Sequence, residues 1–265
     1  MGPGWITPDW PAAATVRALS TLREGGVSTQ SYESLNLGGH VGDAPTAVAE
    51  NRRRLRSAAR LPAEPTWLSQ VHGARVVDLD ALDDAEKPPE ADAALTRRPG
   101  RVCAILAADC LPVLLAADSG AAVAAAHAGW RGLAGGVIEA AVRALALAPE
   151  SLVAWLGPAI GPRHFEVGGE VRDLMLVEDP QASAWFTPNA RGRFLADLPA
   201  LARRRLARLG IQRIYGGGEC TFSRADKYFS HRRDGATGRQ ATLIWLENAP
   251  ERRGGPLNCR AGGPN

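Results

Sequence analysis

The chain has 265 residues, 45% hydrophobic and 22% charged, with a formal net charge of only +3, so it is long enough to bury a substantial core and is not strongly basic or acidic. Lys87 and Lys227 are its sole lysines, and the run Arg52-Arg53-Arg54 falls in a helix-like stretch as a solvated face, which excludes the basic block that tracks a nucleic-acid backbone. No apolar stretch approaches the ~20 residues needed to span a bilayer, because the region 102–126 is interrupted by Asp109, Pro112 and Asp118.

In chain order, a helix is predicted over 44–59, opened by Pro45 and closed before Leu61-Pro62. Strand candidates follow at 66–71 and 74–79. The acidic segment from Asp78 to Glu90, which carries Pro88-Pro89, reads as a mobile surface loop. Strands are then predicted at 102–107, 113–117 and 122–126, and a helix over 133–147, reached through a tight turn that Gly129 and Gly132 supply. A strand at 152–156, helices at 168–177 and 198–209, and strands at 211–215 and 241–246 complete the series. Strands and helices mix without strict βαβ alternation, which predicts an α+β fold. The segment 249–265 is rich in Gly, Pro and Arg and offers no periodic apolar face, so it is expected to be a disordered tail, with Cys259 taking no part in catalysis. The other cysteines, Cys103, Cys110 and Cys220, are widely separated, and no basic-then-apolar secretion pattern precedes them, so reduced thiols and a cytoplasmic location are expected.

Three residues stand in distinctive settings: His72 in Gln70-Val71-His72-Gly73, Cys110 in Ala108-Asp109-Cys110-Leu111-Pro112, and His127 in His127-Ala128-Gly129-Trp130-Arg131-Gly132. Asp118-Ser119-Gly120 between two apolar runs is a hairpin signal. A turn centred on Ser119 would put His127 opposite Leu111, one residue from Cys110, and cross-strand Cβ atoms lie ~5 Å apart. His72 would also sit at a strand terminus. Two imidazoles and a thiolate with no fourth protein ligand fit a catalytic zinc, since the open position is left for water or substrate. The spacing matches no compact zinc-finger pattern, and it leaves open a small buried cysteine with two hydrogen-bonded histidines.

Further words run almost the whole length of the chain: Arg23-Glu24-Gly25-Gly26-Val27-Ser28, Ser34-Leu35-Asn36-Leu37-Gly38, His40-Val41-Gly42-Asp43, Gly157-Pro158-Ala159-Ile160-Gly161-Pro162 and Phe229-Ser230-His231-Arg232-Arg233-Asp234-Gly235. With the three settings above, the chain resembles the YfiH/laccase-domain family of polyphenol oxidase-like proteins. The resemblance implies a single domain over 1–248, with central β-sheets flanked by helices and kinship to cysteine-hydrolase toxin domains. It also implies that His72, Cys110 and His127 form a zinc-binding catalytic centre. Leu22 and Arg163-His164-Phe165 depart from the family's usual residues, which bears on the pocket rim and substrate choice.

The activity so implied is phosphorolysis of adenosine, inosine and methylthioadenosine, with deamination of adenosine, and a monomer or weak homodimer with purine nucleosides and phosphate as its partners. A zinc ion would bring the pKa of a bound water toward about 7, for attack at C6 of adenosine. Phosphate needs an anion site, for which Arg131 before a helix and Arg23 beside Gly25-Gly26 are the candidates, with a structural salt bridge the competing reading of Arg131. Asp109 is a candidate to orient a ligand histidine or substrate, or simply to form the turn before Leu111-Pro112. His40 and His164 are read as non-ligands, and His231 as a hydrogen-bonded surface histidine, with a place in the pocket lining its competing reading. Three alternatives share these residues: a Cys110–His127 amidase acting on a peptidoglycan precursor, a copper-dependent polyphenol oxidase, and a non-enzymatic purine-binding module. Five histidines are too few for a laccase's several copper ions, so copper at this site would be adventitious.

Overall fold

Period-two burial sorts the apolar strands into two stacked sheets. A computed structural model describes residues 4–82 and 87–248. Its strands are β1 (Trp5–Ile6), β2 (Val16–Thr21), β3 (Val76–Asp78), β4 (Ala93–Thr96), β5 (Val102–Ala107), β6 (Leu111–Ala117), β7 (Val123–Ala128), β8 (Leu152–Leu156), β9 (Glu166–Val167), β10 (Phe186–Pro188), β11 (Phe194–Ala196), β12 (Arg213–Gly216) and β13 (Gln240–Leu246). The helices are α1 (Pro45–Ala58), α2 (Trp130–Ala134), α3 (Val137–Leu145), α4 (Gly169–Glu178), α5 (Leu198–Arg208) and α6 (His231–Asp234). A four-stranded sheet has the order β1-β2-β13-β5, a six-stranded sheet the order β12-β8-β6-β7-β4-β3, and a small third sheet the order β10-β11-β9.

Alternate residues of one strand serve different cores. In β6, Val113 and Leu115 pack on α3 and α5 through Val137, Ile138, Leu201 and Leu206. Leu114 and Ala116 face the other way, toward Ile105 and Ile244 of the four-stranded sheet. That sheet's outer face, with Ala104, Leu106 and Leu243, is covered by Leu55 of α1, Leu37 and Trp67. Helix, sheet, sheet and helix therefore form the layers of an α+β fold. Because β5, β6 and β7 are buried on both faces, they read as continuous apolar runs with no polar alternation.

Several expectations need correction. The hairpin loop is four residues long: Ala117 N–H donates to the Ala122 carbonyl and Gly120 takes φ +70°. The register is therefore Leu111 with Ala128 and Pro112 with His127, one place from the pairing with Leu111. That place matters, because strand side chains alternate faces; the observed register puts His127 on Cys110's side of the hairpin. The helix expected over 133–147 is broken at Gly135-Gly136, where Gly136 takes φ +83°, giving α2 and α3. The stretch 66–71 makes only isolated bridges at Thr66 and Ser69, and 74–79 shortens to β3. Part of the acidic segment is ordered by Leu79, which is fully buried; residues 83–86 of it, and the tail from Ala249 with Cys259, lie outside the described residues. The strands β1, β2, β4 and β9–β11 had no distinct sequence signal. Among the described residues no helix is long and apolar enough to cross a membrane, and Cys103, Cys110 and Cys220 are free.

The loop preceding α1 is held by one buried amide. Asn51 of α1 accepts from Val27 N–H at 2.8 Å and donates to Ser28 Oγ and to the Ser34 and Asn36 carbonyls, while Asn36 and Ser28 both donate to Asp43. Removing this fully buried amide strands the Val27 N–H and the Asn36 carbonyl and weakens the hold on Ser28 and Ser34. Asn51→Ala is expected to lower unfolding stability by about 2–3 kcal/mol, read from the urea midpoint. A loss below about 0.5 kcal/mol would mean that the loop holds its own shape.

Candidate metal centre

Cys110 sits just before β6, His127 near the end of β7, and His72 on the loop ahead of β3, so three chain segments converge at one end of the six-stranded sheet. One donor atom from each of His72, Cys110 and His127 lies within 4.8 Å of the others. The two imidazole rings meet edge to face, with centroids 4.9 Å apart. His127 is buried, Cys110 is partly exposed and His72 is exposed, so the cluster opens outward on the His72 side. Gly129 leaves the cluster its room: a Cβ there would lie 2.7 Å from Cys110 Sγ and 3.5 Å from His72 Cδ2.

Asp92, immediately before β4, organises two of the three. It is directly across from His127, whose backbone N–H donates to the Asp92 carbonyl at 2.7 Å and whose Nδ1 meets Asp92 Oδ1 at 2.8 Å. The same carboxylate accepts the backbone N–H groups of Val71, His72 and Gly73, at 3.2, 3.0 and 2.7 Å. His72 takes φ +63°, a left-handed conformation that costs a non-glycine residue of order 1 kcal/mol, and this three-point grip holds it there. Gln70 fixes the start of the loop by exchanging two hydrogen bonds with the Leu106 backbone of β5. Burial alone would raise the Asp92 pKa, but the His127 hydrogen bond and the Gly73 and His72 N–H groups hold it below the usual carboxylate value.

Electrostatics couple Cys110 to the histidines. Burial opposes the thiolate, yet the His127 charge and hydrogen bonds from both histidines pull its pKa down; burial likewise opposes the imidazolium of His127, and Cys110 and Asp92 push it up. A thiolate and two imidazoles around one point, with Asp92 holding the far nitrogen of His127, are a donor set suited to one metal ion of the zinc kind.

The remaining sequence candidates are placed as follows. Asp109, with φ +97°, does not reach a histidine: Oδ1 accepts from Thr221 Oγ1 at 2.6 Å and Oδ2 from Arg232 N–H at 2.7 Å, so it clips the segment 221–232 to the Cys110 turn. The histidine-orienting carboxylate is Asp92, which no motif marked. Arg23 donates to the Glu33 and Ala225 carbonyls and covers the Phe229 ring. Arg131 is exposed, stacked on Trp130 at 4.2 Å, and makes no ion pair among the described residues. His164 stacks on Phe222, and His231 Nδ1 meets the Gly235 carbonyl at 2.7 Å. His40 is outside the ligand set but close enough for the charges of His72, His127, Arg52 and Arg239 to act on it. Arg239 was also missed; only its place beside β13 and the apolar strand's register would have drawn it to the site.

Fold and site together define an α+β protein carrying one His-Cys-His cluster able to hold a metal ion. The chain belongs to the family described as multi-copper polyphenol oxidoreductase laccase, whose match spans residues 17–247. Among its relatives, a purine nucleoside phosphorylase of Pseudomonas aeruginosa is 53% identical over 92% of this chain and 99% of its own length. The purine nucleoside phosphorylase YfiH of Escherichia coli is 52% identical over 91% and 98%. A crystal structure of a Neisseria meningitidis protein superposes with TM-score 0.88 at 48% identity, covering 92% of this chain and 99% of that one; YlmD from Geobacillus stearothermophilus gives 0.86 at 34%, covering 92% and 97%.

Two substitutions probe the support of the cluster. Asp92→Asn should weaken zinc binding by about 10- to 100-fold, measured by competition with a chromogenic chelator, because outer partners of ligand histidines carry effects of that size. Affinity within about twofold of the parent would remove Asp92 from the centre. Gly129→Ala should also impair metal binding, since its Cβ would displace the Cys110 thiolate.

Proposed function

We propose that this protein is a purine nucleoside phosphorylase that takes adenosine, inosine and methylthioadenosine to free base and ribose 1-phosphate, also deaminates adenosine to inosine, and holds zinc through His72, Cys110 and His127. The supporting observation is His72. A thiol hydrolase needs a nucleophile, a base and an orienting carboxylate, whereas the third donor, held in a left-handed conformation by three backbone hydrogen bonds of its loop, has a reason to be there in a metal site. The names carried by the relatives support the phosphorylase part of this reading. Free cysteines agree with action in the cytoplasm, as a monomer or weak homodimer.

Zinc suits the donor set better than several coppers. Of the five histidines, His164 and His231 are engaged elsewhere and His40 is outside the cluster, leaving too few imidazoles for a multicopper oxidase. When bound, zinc supplies a Lewis acid at the floor of the site. The chain's own residues do the rest. Asp92 holds Nδ1 of His127, leaving Nε2 for the cluster and fixing the ring's direction. Asp109 and Arg23 act by holding the flanking loops, and Arg131 is the outward cation at the rim. In phosphorolysis a phosphate oxygen bonds to C1′ of the ribose as the C1′–N9 bond breaks; the bonding pair leaves with the base, which gains a proton. In deamination, water replaces the exocyclic amine at C6 and ammonia leaves.

A second reading rests on one observation: Cys110, His127 and Asp92 line up as nucleophile, base and orienting carboxylate, the pattern of a cysteine amidase, here acting on a peptidoglycan precursor. Metal analysis of protein purified without added metal, joined to product analysis with adenosine and phosphate, separates the two. About one zinc per chain is expected, with ribose 1-phosphate formation lost on chelation and restored by zinc. Cys110→Asp should keep part of the metal and activity, because a carboxylate still ligates zinc, and Cys110→Ser should keep less. Full activity of metal-free enzyme, with a thioester adduct trapped on Cys110, would replace the zinc reading with the hydrolase.

A further inference from the structure

Arg239 is a half-buried cation that the protein itself leaves partly unused. Gln240 pairs with Ala107, so the residue before β13 runs beside the Ala108-Asp109-Cys110 turn. Its stem lies across Gly38, where a Cβ would come 2.8 Å from Arg239 Cγ, and Asn36 Oδ1 accepts the backbone N–H of both Gly38 and Arg239. The guanidinium is anchored at one nitrogen: Nη1 donates to the Thr237 and Gly238 carbonyls at 2.8 and 2.9 Å. Nε and Nη2 donate to no group among the described residues, and no carboxylate there forms an ion pair with it.

That arrangement is unusual because a desolvated guanidinium is ordinarily paired. Elsewhere in this chain Arg204 and Arg205 meet Asp179 and Glu139 at 2.6 and 2.9 Å. Burial lowers the Arg239 pKa, and the anionic groups that act most against this are Cys110 and Asp109. Asp109 is already saturated by Thr221 and Arg232, and Cys110 belongs to the metal. The fork formed by Nε and Nη2 is therefore free, and a guanidinium fork of this kind matches two oxygens of one anion. Arg52, on α1, shares that surrounding: burial holds down the pKa of His40 in the 38–40 loop, and the charges of Arg239 and Arg52 both act on it in the same direction. Two guanidinium groups in one region favour a doubly charged ligand over a single carboxylate.

We propose that Arg239 is the anion-binding residue of the site and holds inorganic phosphate beside the metal centre. The proposal rests on the phosphorolysis reading for phosphate's role as co-substrate, and its test separates the two. Zinc-loaded full-length protein is titrated with inorganic phosphate alone by calorimetry, for the parent, Arg239→Gln and Arg239→Lys. Initial rates are then measured against phosphate at saturating inosine, and against inosine at saturating phosphate. Arg239→Gln should weaken phosphate binding and raise the phosphate KM by about tenfold or more, with zinc content unchanged and the inosine KM within about twofold. Arg239→Lys should recover part of the loss, since it keeps the charge but not the fork. A measurement on the parent protein covers variants that misfold: phosphate should protect Arg239 from a dicarbonyl arginine reagent, as read by peptide mass.

Unchanged phosphate binding and phosphate KM in Arg239→Gln, a change confined to the inosine KM, or no protection of Arg239 would each overturn the proposal while leaving phosphorolysis standing. Phosphate binding that is lost with Arg239, in a parent protein that forms no ribose 1-phosphate, would support the anion site and remove phosphorolysis instead.

Discussion

One carboxylate fixes the shape of this site. Asp92 is fully buried, so its charge is affordable only if it is well compensated, and it is: three successive backbone N–H groups and one imidazole converge on it. These contacts come from the 71–73 loop and from β7, which also meet through the edge-to-face rings of His72 and His127. The direction of His127 and the backbone conformation of His72 thus have a single common cause. Losing the charge would free a ring and a strained turn together, so the two histidines are held as one unit and not independently.

The location of the site follows from the burial of its strands. β6 and β7 are covered on one face by helices and on the other by the second sheet, so neither can carry a charged side chain along its length. Polar chemistry is forced to the strand ends, where Asp109-Cys110 enters β6 and His127-Ala128 leaves β7. The second sheet approaches that same end through β5 and β13, bringing the Gln70 anchor and Arg239. The polar network of Asn36, Asp43 and Asn51 then carries the 26–43 loop to the opening, with Gly38 pressed on the Arg239 stem. The rigid interior and the adaptable rim have different sources: apolar packing for the first, buried hydrogen bonds for the second.

How far the sequence was legible depended on the range of the interaction behind each feature. α1, α5 and the strands at 102–107 and 152–156 are fixed by local signals, Pro45 at a helix start or an unbroken apolar run, and these were readable to within a residue or two. The hairpin was legible in existence but not in register, because a loop of three and a loop of four differ only in how Gly120 is used, and that single place decides which face His127 shares. The three cluster residues stood out through their flanking words. Asp92 did not, since Ala91-Asp92-Ala93 has no motif and its role exists only once β4 lies against β7. Asp109 drew attention by standing next to Cys110, yet its side chain turns to Thr221 and Arg232; adjacency along a chain says little about direction when the backbone takes φ +97°.

The family's description speaks of multiple coppers, while its relatives here are named for purine nucleosides. A single soft site reconciles the two. By intrinsic affinity, a thiolate with two imidazoles suits copper at least as well as zinc, so the donor set alone does not separate them. Oxidase chemistry of the laccase type needs further copper ions with their own imidazoles, and of the three remaining histidines His164 stacks on Phe222, His231 meets the Gly235 carbonyl and His40 stands alone outside the cluster. What the surrounding protein adds is a guanidinium whose Nε and Nη2 are unengaged among the described residues, a group that laccase-type electron transfer does not call for and whose fork matches an anion. The residues beyond the metal's immediate donors therefore discriminate between the chemistries that the donors alone leave equal.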